Sequence, residues 1–224
     1  MFIGHYGAGM AGKKVDNRPS LGTLFLAAQF LDVLWPMFIL LGWEQVEIEP
    51  VSKQFLTLQF TSYPFSHSLA AAVLWSLTFG AVYFLIKKNL KVSVLLGALV
   101  FSHWVLDLIV HVPDLQLLPG IGARVGFGLW NSTAMTIIVE GAIFVCGIFL
   151  YIKSTKAKNL LGAIVFWSLM VFLTFAYVMN LSSPPPPSVK ALGLVGLSQL
   201  LIITWAYWAD RYRSVVPTKS PTVS

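Results

Sequence analysis

The sequence predicts an all-α, polytopic membrane bundle of about six transmembrane helices with both termini cytoplasmic, and three observations carry that expectation. Of the 224 residues, 57% are hydrophobic and only 11% are charged, with a mean hydropathy of +0.77. The apolar residues fall into several runs near or above about 18 residues, the length a helix needs to cross lipid, and in lipid only helices and closed barrels satisfy their own backbone. The basic residues cluster between these runs, which is how membrane orientation is set, so the formal net charge of +6 is not the mark of a nucleic-acid surface. The expected partner is therefore the lipid bilayer, and no nucleic acid. The single cysteine, Cys146, sits in an apolar run and excludes both an intramolecular disulfide framework and a cysteine-based zinc cluster.

Taken in order, residues 1–19 are too short and too glycine-rich to span, and their basic residues follow the apolar part, unlike a secretory signal. The first span covers about 21–43, with Asp32 near its middle and Pro36 as the expected bend. Residues 44–62 are an acidic, then mixed, external loop containing Glu44, Glu47 and Glu49. The second span runs from about Phe65 to Lys87-Lys88, with Ser66-His67-Ser68 in its first turn. The third, about 92–112, stops at Pro113 and is followed by a glycine-rich loop over 119–128. The fourth covers about 131–152, with Asn131-Ser132-Thr133 as cap candidates and Glu140 near its centre. The fifth, about 160–181, ends at a stiff connector, Pro184 to Pro187, and the sixth covers about 191–209. Residues 1–213 then form one transmembrane domain, and 214–224 a disordered tail.

Twelve basic residues, Lys13, Lys14, Arg18, Lys87, Lys88, Lys91, Lys153, Lys156, Lys158, Arg211, Arg213 and Lys219, fall on one side of such a bundle, and Lys53, Arg124 and Lys190 on the other. An excess of that size makes the first side cytoplasmic. Trp43, Tyr63, Trp130, Trp205, Tyr207 and Trp208 stand at span ends, as an aromatic belt requires.

The chemistry is expected in the third span. His103, Asp107 and His111 recur at intervals of four, so they share one helix face in an otherwise apolar segment. Ionisable groups inside a membrane are costly and mark functional sites. Asp32, His103 and Glu140 lie near the expected midplane; Asp107, His111 and His67 lie progressively outward, and Asp114 stands at the mouth. Four helices could thus enclose one polar cavity on the outer half. His5 would join it only if the segment from Gly4 to Gly12 folded back into the bundle. Histidines and carboxylates without cysteine suit zinc, manganese or iron. A bound metal would lower the pKa of a water for attack on a phosphoester, and Asp107, Asp114 or Glu140 could accept its proton or orient a ligand.

The order His5, Asp32 in an apolar span, Ser66-His67-Ser68, then His103-x3-Asp107 resembles the bacterial membrane-bound metal-dependent hydrolases of the LexA-regulated inner-membrane type. More distantly, it is similar to the ligand order of zinc-dependent phospholipase C and the zinc single-strand nucleases. The resemblance covers about residues 1–140. It implies a bacterial inner-membrane location, hydrolysis of a phosphoester or lipid-like substrate, and His5, Asp32, His67, His103 and Asp107 as metal ligands, with His111 and Glu140 as candidates for further ions. One departure is plain: where the soluble enzymes place a histidine four residues before the last carboxylate, this chain has Thr136.

Three other functions fit the same residues. A permease would use Asp32, Asp107 and Glu140 to bind a cation or titrate, and the histidines to relay protons. A haem protein would set His67 against His103 or His111 as axial ligands. A non-catalytic membrane partner would need none of them.

Overall fold

The computed structural model describes residues 1–49 and 57–216. Helices dominate, and among the described residues five are long and apolar enough to cross a membrane: α4 (Leu69–Lys87), α5 (Leu90–Val110), α6 (Thr133–Ser154), α7 (Leu160–Ser182) and the segment Val189–Arg211. The last is interrupted at Ser198 into α8 (Val189–Leu197) and α9 (Gln199–Arg211). A sixth span exists if α2 (Leu21–Ala28) and α3 (Phe30–Leu40), bent by 55° at Gln29, are taken together. Short polar side chains start these helices by accepting from an orphan backbone N–H: Ser20, Ser68, Asn89, Ser132, Asn159 and Ser188 cap α2, α4, α5, α6, α7 and α8.

The bend falls at Gln29 and not at Pro36, which lies inside α3. Proline has no N–H, so Pro36 leaves the carbonyl of Asp32, four residues earlier, without its helical donor. The side-chain amide of Gln199 donates to that carbonyl instead. Beside it, Gly193 and Gly196 bring α8 against Leu40 and Pro36, where an added Cβ would come within 2.7 and 2.9 Å of their side chains.

One end of the bundle is basic and well knit. The pair β5 (Thr155–Ala157) and β6 (Arg213–Val215) closes it antiparallel. Lys13, almost fully buried, donates to Pro19 O at 2.8 Å and pairs with Asp210 at 3.1 Å, while Tyr151 donates to Asp210 at 2.7 Å. The expected tail begins at 214, yet Ser214 and Val215 lie in β6; residues 217–224 are outside the described residues. At the far end stand two antiparallel hairpins, β1 (Gln45–Ile48) with β2 (Leu58–Ser62), and β3 (Leu115–Leu118) with β4 (Ile121–Val125). The glycine-rich stretch expected as loop is thus largely β3–β4. Gly120 and Gly122 take the positive φ values, +70° and +92°, that let it fold back on itself.

The main departure from the sequence reading is α1 (Ile3–Val15), a buried helix in the stretch expected not to span. Its 13 residues reach about 20 Å, two thirds of a hydrocarbon core. Its basic C-terminal end lies beside α2, and its N-terminus points into the middle of the bundle. Tyr6 and Met10 are fully buried among Phe25, Phe166 and Leu169. Glycine, read from sequence as a helix weakener, is here what admits the helix. A Cβ on Gly7 would stand 2.6 Å from Ile143 O, and one on Gly147 would stand 2.3 Å from Gly7 O, so α1 and α6 touch backbone to backbone, the approach that small residues permit between membrane helices.

Gly147→Ala should therefore force α1 off α6 and lower the melting temperature of detergent-purified protein, at a cost of about 1–3 kcal/mol. Gly141→Ala on the same helix, where a Cβ meets nothing within 4 Å, should be neutral or gain up to about 1 kcal/mol.

Candidate functional site

The far half of the bundle encloses a cavity of about 370 Å³ lined by Asp32, His67, Asp107, His111, Glu140 and the first two residues of the chain, among others. Asp107, one turn before the end of α5, is its centre, and its two oxygens serve different neighbours. Oδ1 accepts from the amino group of Met1 at 2.6 Å and from His5 Nε2 at 3.0 Å. Oδ2 lies 3.2 Å from His103 Nε2 and 3.6 Å from His67 Nε2. Asp32 Oδ1 stands 3.6 and 3.5 Å from the same two nitrogens.

Hydrogen bonding behind the imidazoles fixes their tautomers. His103 Nδ1 faces Ala28 O at 2.8 Å; a carbonyl only accepts, so Nδ1 carries the proton. The Ala28 carbonyl is within reach because the helix is broken at the next residue. His67 lies just before α4, its Nδ1 at 2.7 Å from Ser66 Oγ, which donates its own hydrogen to Glu44 Oε2 at 2.6 Å. Ser66 therefore accepts from His67 Nδ1–H. Glu44 is held in turn by the backbone N–H groups of Phe65 and Ser66, both at 2.8 Å.

With Nδ1 of both rings committed in this way, Nε2 is in each the nitrogen aimed at the carboxylate oxygens. Two imidazole nitrogens and two carboxylate oxygens converge, and His103 Nε2 is buried without a hydrogen-bond partner, so the group calls for either a cation among these atoms or protons on the imidazoles. Each of the four contacts, 3.2–3.6 Å, is close to the roughly 3.3 Å that separates two ligands of one zinc ion. Among the described residues, two groups of three have ligand atoms close enough for one ion: Asp32 with His67 and His103, and His5 with His103 and Asp107.

His5 does reach the cluster, because α1 delivers it; its ring stacks on that of His103 with centroids 3.6 Å apart. His111, Asp114 and Glu140 share the neighbourhood but belong to neither group. His111 caps the end of α5 and turns Nδ1 to Asp114 at 2.9 Å, with its ring packed 4.0 Å from that of Trp130. Asp114 also accepts from Tyr63 OH at 2.8 Å. Burial, with the Asp114 carboxylate beside it, holds the Tyr63 phenol above its usual range. Glu140 Oε2 accepts from Phe2 N at 2.8 Å and so closes the open N-terminus of α1, where the helix dipole favours an anion.

Two side chains expected in an interfacial belt face inward instead: Tyr63 and Trp130 are buried against the cavity. Glu44, read as an external acidic residue, is buried as the anchor of His67. The available signal was its adjacency to a span end and the serine beside His67. No family model, curated protein or solved structure matches the chain; the hydrolase resemblance rests on the residues quoted for it.

Glu44→Ala would strip the backbone N–H groups of Phe65 and Ser66, and the Ser66 hydroxyl, of their acceptor, so the protein should lose about 2–4 kcal/mol, read as a lower melting temperature. Glu44→Gln keeps an acceptor oxygen and should lose less.

Proposed function

We propose that this chain is a six-span protein of a bacterial inner membrane, its basic end cytoplasmic, and that it hydrolyses a phosphoester or lipid-like substrate with a divalent metal, zinc above manganese or iron, held by Asp32, His67, His103 and Asp107. The observation that carries this reading is the convergence of two imidazole nitrogens and two carboxylate oxygens, on side chains of which three, His67, His103 and Asp107, are already held from behind by other partners. One divalent cation resolves that arrangement; otherwise extra protons must be held there. Such an ion supplies Lewis acidity and a water made acidic enough to attack at neutral pH.

The chain's own residues have distinct tasks. Ala28 O and the Ser66–Glu44 pair orient the two imidazoles from behind, as carboxylates and carbonyls behind metal-binding histidines do. Asp107 ties the ligand set to α1 through Oδ1. His111, turned by Asp114, keeps Nε2 as the nitrogen able to take a proton from an attacking water, the Asp–His arrangement of a general base. Asp114 and Tyr63 are positioning residues, and Glu140 holds α1.

The breaks at Gln29 and Ser198 favour a second reading, since transporters build midplane sites from interrupted helices. In that case Asp32 and Asp107 bind or release a transported cation.

Elemental analysis of protein purified in detergent should give about one divalent metal per chain, lost in His103→Ala and Asp107→Ala and retained in His111→Ala. Ser66→Ala should weaken metal affinity by about 10–100-fold. Chelation should lower the melting temperature, because an ion bound only by the folded state stabilises it. Negligible metal in the wild type, with cation uptake that follows an imposed pH gradient, would overturn the hydrolase in favour of the permease.

A further inference from the structure

The cavity does not end at the polar cluster. It continues between α7 and the last span, where Phe172, Ala176 and Asn180 line one side and Val195, Gly196 and Ile202 the other. The break at Ser198 makes this limb. Below it, α9 packs on α7; above it, α8 leans on α3 through Gly193 and Gly196, so α7 and α8 part company.

The resulting gap faces sideways. Phe172 and Val195 are 40% and 69% exposed, on helices whose exposed side chains are mostly apolar, Thr174, Asn180, Ser182 and Lys190 apart. From Asn180 near the far end of α7 to Phe172 near its middle the slot runs about 12 Å along the helix. A groove that opened to water would not need apolar walls at mid-span depth.

We infer that the substrate is a bilayer-resident phospholipid that enters through this gap, its phosphoester reaching the Asp32/His67/His103/Asp107 cluster while its acyl chains stay in the membrane. Size supports that division. A cavity of about 370 Å³ lies at the low end of small-ligand sites, enough for a headgroup and its ester linkages and too small for two acyl chains. The ionisable groups stand at one end of the cavity and, Asn180, Ser198 and Gln199 apart, apolar walls at the other, in the order in which a phospholipid presents them. The inference rests on the hydrolase reading for its chemistry and on the helix divergence for its route.

The test uses the full chain in nanodiscs containing a phosphatidic acid that carries a photoreactive diazirine on the first carbons of one acyl chain. Illumination should attach the lipid to peptides spanning Phe172–Asn180 and Val195–Ile202. Val195→Trp and Ala176→Trp place an indole in the slot and should abolish that attachment, whereas Leu200→Trp, exposed on α9 outside the cavity, should not. Hydrolysis of the same lipid should fall about tenfold or more in the two slot variants, because entry is then confined to the aqueous mouth. Hydrolysis of water-soluble p-nitrophenyl phosphate, a monoester like phosphatidic acid, should persist in both. Absence of attachment in the wild type, or attachment unchanged in both slot variants, would overturn the portal. Attachment that follows this pattern with neither substrate hydrolysed would instead overturn the hydrolase and leave the portal standing.

Discussion

The divided carboxylate of Asp107 is the constraint on which the rest of the site depends. One oxygen fastens a half-length helix that carries no span of its own, and the other faces the histidines and carboxylate contributed by α3, α5 and the turn before α4. A buried carboxylate is tolerable only when several partners share it. Here the partners come from opposite sides, so α1 and the histidine cluster are assembled through the same atom pair. Neither can be displaced without exposing the other to an unbalanced charge.

Much of this was legible in the sequence, and the reasons differ between elements. The apolar runs were long enough to be read directly, and the observed helices α4 to α7 begin and end within a few residues of the expected limits. The four-residue spacing of His103 and Asp107 put both on one face, and the depth argument brought Asp32 and His67 to the same level. What stayed hidden depended on contacts between distant segments. Helix α1 was invisible because glycine lowers helix propensity in any local reckoning, while its benefit, close approach to Gly147 and Ile143, appears only once α6 is beside it. Glu44 and Glu140 each answer backbone N–H groups on other elements, a role that leaves no periodic trace. Tyr63 and Trp130 stand at span ends as interfacial residues do, and only tertiary packing turns them inward.

The position of the first bend shows the same limit from another direction. Proline is a reliable mark of a lost helical hydrogen bond, not of a bend. At Pro36 the freed carbonyl finds a donor in Gln199, and the helix continues; at Gln29, with no proline, the chain breaks and frees Ala28 O for His103.

That substitution of a side-chain amide for a helical N–H has a mechanical consequence. His67, His103 and Asp107 sit on backbone or hydrogen-bond supports buried within the bundle, with side chains no more than 6% exposed, whereas the Asp32 side chain is 31% exposed. Its own peptide is steadied by a flexible arm reaching across from another helix. A rotamer change at Gln199 would release it without unwinding any turn. The Asp32 carboxylate is thus the least enclosed member of the cluster, and the last helix, through Gln199, is the element that bears on its backbone.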